Sequence, residues 1–457
     1  MTQGIAQVSE LFKGIQPSAI RTAQIKFRKR NELDKAAGKP LTKAINVAIG
    51  NVSLKTHPLM IQRYLNPEDK DLRLGDWRYS ETVGRDVCNE TFINIVTSFL
   101  PNEISQKLKL FAFTTDGSST LMKTAMLGVC GDPGSNEKPL LVIDPIYTNY
   151  LSIAKETGRS IVSVRRTLQD NGKFTDVSVN EVEEAIKRHK PGALVIIPYD
   201  NPSGQLMRQE IINEYAKLCL KYKIFLISDE AYRGLYYTSE SLAANPQAPT
   251  VWNMTDKEVP GIEEAKIRIS LETMSKVFNA CGLRMGALVT DNQYFQEQSV
   301  AFSTTYLCAS VLDQHIVESL HSQTKAQLQS WVAQQRDYYG KIMKQMHADF
   351  NNLLPGIVVS LPESSIYSVV DVRKIAKSGF NAKDFVDYCA NFGSAEIDGE
   401  KLTLLVAPMA GFYKTNTGED NPGTTQMRIA LVAPEKEMLL VPRLFAELFK
   451  QYEAQRD

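Results

Sequence analysis

Short apolar, β-branched runs recur through the middle of the chain: LLVIDP (140–145), IVSV (161–164), ALVIIP (193–198), IFLISD (224–229), IRISLE (267–272) and MGALVT (285–290). Between several of them lie amphipathic stretches such as VNEVEEAIKRHK and RQEIINEYAKLCLKYK, whose apolar positions return at helical spacing. Apolar strands alternating with such helices predict an α/β fold with a mostly parallel central sheet covered by helices on both faces. Ligands in such sheets sit beyond the carboxyl ends of the strands. Asn201, Asp229 and Thr273 fall at or just after those ends.

The flanking pattern differs. IKFRKRNELDKAAGKP reads as a solvated helix ended by a Gly-Lys-Pro break, NVAIGNVSL as a short strand entering a glycine turn, and TFINIVTSFL as a helix. Residues 293–350 are mainly helical, after which IVVSLP, IYSVVDV, KLTLLVAP and MRIALVA predict strands interleaved with helices. The expected organisation is an amino-terminal segment (1–70) contributing to a smaller α+β domain, a large domain (71–330), and the carboxyl-terminal part of the small domain (331–457). TNTGEDNPGTT (415–425) reads as a polar loop.

A chain of 457 residues with 43% apolar and 23% charged side chains suits a globular protein of this organisation. Its 52 basic and 52 acidic residues cancel without a long single-sign block, so neither nucleic acid nor a membrane surface is an expected partner. The six cysteines are scattered without a C-x-x-C pair and read as small buried thiols. The amino end lacks the apolar core of a signal peptide, and a cytoplasmic location is the expectation. The five histidines form no H-E-x-x-H or comparable spacing, and no Walker A, G-x-G-x-x-G or G-x-S-x-G pattern occurs. Metal, nucleotide and serine-nucleophile chemistries are therefore disfavoured.

The segment RISLETMSKVFNACGLRMG holds the most informative chemistry, with Lys276 and Arg284 eight residues apart. Lys276 follows a buried-looking run and stands beside Thr273 and Ser275, a crowded setting that favours an unprotonated amine able to form a Schiff base and then act as a general base. Arg284 offers a fork for phosphate, and Gly117, Ser118 and Ser119 precede a predicted helix whose first N–H groups can receive an anion. Asp229, at the end of a buried strand, suits a ring nitrogen that must stay protonated; it reads equally as a helix N-cap for EAYRGL. Asn201, in the turn NPSG, and Tyr232 are candidates for a ring hydroxyl, and Tyr147 for stacking on a ring. Arg428 reads either as a surface cation or as a grip for a substrate carboxylate, toward which Gly50 can bring backbone close. Together these are the groups needed to hold pyridoxal phosphate as an electron sink for amino-group chemistry.

YDNPSG (199–204), SDEAYRG (228–234) and TMSKVFNACGLRMG (273–286), in this order, resemble the class I/II aminotransferases, fold type I pyridoxal-phosphate enzymes. The resemblance runs from about residue 45 to the C-terminus. It implies Lys276 as the Schiff-base lysine, Asp229 at the pyridine nitrogen, Asn201 and Tyr232 at the ring oxygen, and Tyr147 stacked on the ring. Gly117, Ser118, Ser119, Thr273 and Arg284 would surround the phosphate and Arg428 would hold the substrate carboxylate; beside what the resemblance implies, Ser275 is a candidate hydroxyl at the phosphate, and Asn201 and Gly50 are candidate substrate contacts. YSETVG (79–84) resembles the segment whose tyrosine, here Tyr79, reaches the phosphate of the neighbouring subunit, implying a homodimer with shared sites. Two departures, Thr273 where serine is common and Tyr147 where tryptophan is common, keep the hydroxyl and the aromatic ring. The expected activity is transfer of an α-amino group from an L-amino acid to a 2-oxo acid; a lyase or decarboxylase reaction on the same residues, and a non-catalytic cofactor-binding role, stay open. Residues 285–335 contain no arginine for a second substrate carboxylate, which favours a neutral or aromatic donor.

Overall fold

Each of the six apolar runs forms a strand in the computed structural model, which describes residue 6 and residues 8–14, 19–237, 248–415 and 418–456. In chain order the strands are β1 (Lys43–Asn46), β2 (Phe111–Thr115), β3 (Leu140–Asp144), β4 (Ile161–Arg165), β5 (Ala193–Ile196), β6 (Phe225–Asp229) and β7 (Arg268–Thr273). After them come β8 (Gly286–Thr290), β9 (Val358–Val359), β10 (Tyr367–Asp371), β11 (Ala395–Ile397), β12 (Glu400–Leu405), β13 (Ala407–Pro408) and β14 (Gln426–Ala430).

The large sheet has seven strands in the order β2-β8-β7-β6-β5-β3-β4. Strand β8 runs antiparallel to both its neighbours, and the pairings from β7 to β4 are parallel. All residues of β3, β5, β7 and β8 are buried, as uninterrupted apolar runs require when helices cover both faces. Helix Gln209–Tyr222 buries Ile212, Tyr215, Ala216 and Cys219, an i, i+3, i+4, i+7 stripe that turns its charged residues outward. Helix Val179–His189 starts on a capping box in which Ser178 and Glu181 satisfy each other's backbone N–H groups.

The smaller sheets are β1-β12-β11 and β13-β14-β10-β9. Because β1 lies parallel to β12, the amino-terminal segment is tied into the carboxyl-terminal third of the chain. Helices Lys325–Leu353 and Glu435–Ala454 pack together there, Phe350 meeting Phe445 at 5.5 Å.

Three local expectations change. The strand expected in NVAIGNVSL ends at its first residue, Asn46, whose Oδ1 accepts the Ala48 N–H at 3.2 Å and bends the chain. EAYRGL forms a turn closed by Gly234 at φ +79°, not a helix. IVVSLP contributes only Val358 and Val359 to a sheet. In the polar loop, Pro422–Thr424 form a 3-10 turn, while Asn416 and Thr417 lie outside the described residues. All six cysteines are free thiols; Cys88, Cys219 and Cys389 are buried, whereas Cys130, Cys281 and Cys308 are half-buried. Among the described residues no helix is long and apolar enough to cross a membrane.

Candidate active site

A cavity of about 330 Å³ opens at the carboxyl ends of the parallel strands, where the large sheet faces β10 and β14. Its floor is Asp229, the last residue of β6 and 7% exposed. The Tyr150 hydroxyl donates to its Oδ2 at 2.6 Å and the Ala231 N–H to its Oδ1 at 3.1 Å. Burial holds the carboxyl above its ordinary range, against the opposing pull of those two donors. Several other buried carboxylates have an arginine, among them Asp200 with Arg166 at 2.7 Å, Glu272 with Arg233 at 2.5 Å and Asp291 with Arg268 at 2.7 Å, while buried Asp144, away from the cavity, is held by the Ser163 hydroxyl and the Lys414 N–H. Among the described residues Asp229 has no cation. A buried carboxylate left that way is costly unless a cation arrives from outside the chain.

Lys276 sits just past β7, and its Nζ donates to the Gly50 carbonyl and lies 3.5 Å from Cys281 Sγ. Gly50 belongs to the stretch redirected by Asn46. A Cβ there would collide with the Tyr367 hydroxyl and lie 3.3 Å from Lys276 Nζ, so only glycine leaves the amine its place. Gly50 lines the cavity as expected, but its carbonyl is engaged by Lys276 rather than left for a substrate.

An anion cradle lies along one wall. Ser118 and Ser119 begin the helix Ser118–Val129, capped by Gly117 at φ +78° and ψ 172°, a conformation almost confined to glycine. Arg284 follows the 3-10 turn Cys281–Leu283 at φ +56°, a left-handed conformation that costs a non-glycine residue about 1–2 kcal/mol. Its Nη1 donates to the Cys281 carbonyl at 3.1 Å, and a Cβ on Gly117 would meet its Nη2 at 2.8 Å. The guanidinium thus presses against the amino end of a helix, where unpaired N–H groups and the helix dipole both favour an anion. Thr273 donates from Oγ1 to Ser275 Oγ at 2.9 Å, and both residues line the cavity.

Arg428, on β14, is buried rather than at the surface. Its Nη1 donates to Asn201 Oδ1 at 2.8 Å and its Nη2 to the Ala48 carbonyl at 2.7 Å. The guanidinium lies 4.4 Å from the Tyr367 ring centre and 4.9 Å from that of Phe412. Among the described residues its Nε has no partner. Neither Lys276, Arg284 nor Arg428 has a carboxylate partner among the described residues, which leaves the cavity rich in uncompensated positive charge.

Tyr232 and Tyr367 bring their hydroxyls to 2.7 Å, and burial keeps Tyr232 un-ionised, well above the ordinary phenol range. Tyr147 is half-buried, accepts from Asn149 Nδ2 at 2.8 Å and packs edge-on against Tyr150 with centres 5.7 Å apart. The cavity therefore gathers Gly50, Ser118, Ser119, Tyr147, Asn201, Asp229, Tyr232, Thr273, Ser275, Lys276, Arg284 and Arg428, with Gly117 immediately behind the serines. Tyr79 is apart from them, 77% exposed and outside its own chain's cavity. Tyr150, Asn149, Tyr367 and Arg21 were not singled out in the sequence. No motif marks them. The one usable signal is for Tyr367, a tyrosine inside an apolar strand run.

The sequence profile described as aminotransferase class I and II matches residues 46–398. Kynurenine–oxoglutarate transaminase 3 of Bos taurus is 23% identical over 290 residues, 61% of this chain and 59% of that protein. The aspartate aminotransferase of Thermotoga maritima is 22% identical over 359 residues, 77% of this chain and 84% of its own length. The match thus spans less than two thirds of the bovine protein. The crystal structure titled as Bna3p, a putative kynurenine aminotransferase from Saccharomyces cerevisiae, superposes with a TM-score of 0.75 at 17% identity, covering 98% of this chain and 99% of that one.

Proposed function

Because this chain belongs to the class I and II aminotransferases, we propose that it transfers the α-amino group of an L-amino acid to a 2-oxo acid, with pyridoxal 5'-phosphate as cofactor. The observation that carries the proposal is Asp229, a buried carboxylate with two neutral donors and, among the described residues, no cation, at the floor of a positively lined cavity. A protonated pyridine nitrogen supplies that cation. The phosphate fits the helix amino end beside Arg284, and Asn201 and Tyr232 offer donors for the ring oxygen. Bound there, the cofactor supplies a carbonyl for covalent attachment and a ring that withdraws electrons from the substrate Cα.

The chain's own residues divide the remaining work. Asp229 keeps positive charge at the ring nitrogen, while Tyr150 fixes the orientation of its carboxylate. Arg428, held by Asn201 and the Ala48 carbonyl, receives the substrate α-carboxylate. Lys276 Nζ would anchor the cofactor and would take the proton from the substrate Cα. The Gly50 carbonyl holds that amine at the cavity wall.

The absence of arginine from residues 285–335 supports a neutral or aromatic amino donor. The exposure of Trp77 (63%), Tyr79 (77%) and Tyr306 (65%) supports a homodimer in which Tyr79 serves the partner's site.

Purified protein reconstituted with pyridoxal phosphate should show a visible absorbance band that shifts on adding a suitable amino donor. A 2-oxo acid should then appear in equal amount with an aminated acceptor. Release of carbon dioxide or ammonia without an acceptor would assign a lyase or decarboxylase instead, and failure to bind the cofactor would end the proposal. Gly117→Ala tests the anion cradle. The new Cβ meets Arg284 Nη2 at 2.8 Å in a backbone conformation hostile to alanine, a combined penalty of about 1–3 kcal/mol. Cofactor affinity should fall about tenfold or more, read by equilibrium titration. Unaltered affinity would place the phosphate elsewhere.

A further inference from the structure

In the proposed reaction Tyr232 stands at the cofactor's ring oxygen, yet its hydroxyl is already engaged, 2.7 Å from the hydroxyl of Tyr367. Both tyrosines line the cavity and both are buried. A phenol has one proton to donate. If Tyr232 gives its proton to Tyr367, none is left for the ring oxygen. If Tyr367 gives, the Tyr232 proton is free to point into the cavity. The direction of this one hydrogen bond therefore decides whether Tyr232 can serve the cofactor.

Two features of Tyr367 favour the second direction. Along β10 and β14, Tyr367 pairs with Ala430 and Val369 with Arg428, which makes Tyr367 and Arg428 diagonal neighbours on one face of the sheet. The Arg428 guanidinium lies 4.4 Å from the Tyr367 ring centre. Positive charge over that ring draws electron density from its oxygen and makes its hydroxyl the stronger donor. The other feature is confinement. A side chain at position 50 would collide with the Tyr367 hydroxyl, so Gly50 walls one side of it, and among the described residues Tyr232 is its one hydrogen-bond partner.

We infer that Tyr367 is a positioning residue for the ring oxygen: it donates to Tyr232 and so turns the Tyr232 proton onto the cofactor. This rests on the transaminase reading above and adds a residue to its machinery. A hydroxyl that accepts one hydrogen bond donates a stronger one, so the pair stabilises an anionic ring oxygen better than Tyr232 does alone. The side chain divides its labour, the ring lying on Arg428 and the hydroxyl serving Tyr232.

The test is a spectral pH titration of the holoenzyme, wild type against Tyr367→Phe, Tyr232→Phe and the double variant. Bound cofactor changes colour as it loses the proton shared by its ring oxygen and the attaching nitrogen, and donors to that oxygen lower the midpoint. Tyr367→Phe should raise the midpoint by about half a pH unit to one, the scale of one neutral hydrogen bond. The phenylalanine ring stays on Arg428, so the Kd for butyrate, an unreactive monocarboxylate, should change less than about twofold. In the Tyr232→Phe background the further change Tyr367→Phe should move the midpoint by less than about 0.2, since Tyr367 then has no hydroxyl to act through. A lower midpoint in Tyr367→Phe would show that Tyr232 donates to Tyr367 and would overturn the assignment. An unchanged midpoint, an equal rise in the Tyr232→Phe background, or a larger loss of butyrate binding would overturn it too, and all of these leave transamination intact. If the wild-type protein binds no pyridoxal phosphate, the transaminase reading fails first and the role of Tyr367 falls with it.

Discussion

Replacing Lys276 by alanine should lower turnover on the order of 10⁴-fold, because in the proposed reaction a single side chain supplies both the covalent anchor and the base at the substrate Cα. Its Nζ is placed by the Gly50 carbonyl, in a space that a side chain at position 50 would close. Among the described residues no other lysine lines the cavity to take over. The side chain is only half-buried, and its removal breaks no ion pair among the described residues, so the fold should persist. Circular dichroism should therefore match the wild type while the visible band of attached cofactor disappears. Turnover at the parental rate would assign the chemistry to a different amine.

Asp229→Asn separates binding from electronics. The amide can keep both local contacts, its oxygen accepting from the Ala231 N–H and its nitrogen donating to the Tyr150 oxygen, so the pocket retains its shape. What disappears is the negative charge that, in the proposed reaction, would hold a proton on the ring nitrogen. Removing one preorganised electrostatic partner of this kind costs about 10²–10³-fold, and exchange of the substrate Cα–H with solvent should slow by that amount. A normal exchange rate would contradict the role. Stability without cofactor should move the other way. Burial raises the Asp229 carboxyl above its unfolded value, so the wild type loses stability as pH climbs from the unfolded value through the raised one. The amide has no such loss. The variant's advantage in thermal unfolding should thus be absent in acid and reach its full size above the raised value.

The large sheet is legible because its strands are covered on both faces. Residues such as Leu140–Asp144 and Gly286–Thr290 are buried without exception, and that requirement writes itself as an unbroken apolar run. The candidate site residues at the strand ends are readable for a related reason: Asp229 and Thr273 interrupt such runs where a buried polar group needs a purpose. The small sheets are less legible. Strand β9 has two residues, and the position of Tyr367 depends on the register that sets Val369 opposite Arg428, which no local pattern states. Tyr150 and Arg21 lie on helices whose own periodicity explains them fully; only packing against distant segments brings one under Asp229 and the other to the cavity mouth. EAYRGL reads as a helix by propensity, but the Asp229 carboxylate and Gly234 close a turn there instead.

The pairing of β1 with β12 also bears on how the molecule comes into being. Lys43 to Asn46 lie beside Leu402 to Leu405, so β1 leaves the ribosome more than three hundred residues ahead of its mate. The strands of the large sheet, Phe111 to Thr290, have all their partners much earlier. A nascent chain can therefore complete its large sheet while the cavity is unfinished: the Ala48 carbonyl meets its partner Arg428 only when β14 arrives. Any product of premature termination before β14 lacks Arg428 and cannot assemble the site, however well its larger sheet has folded.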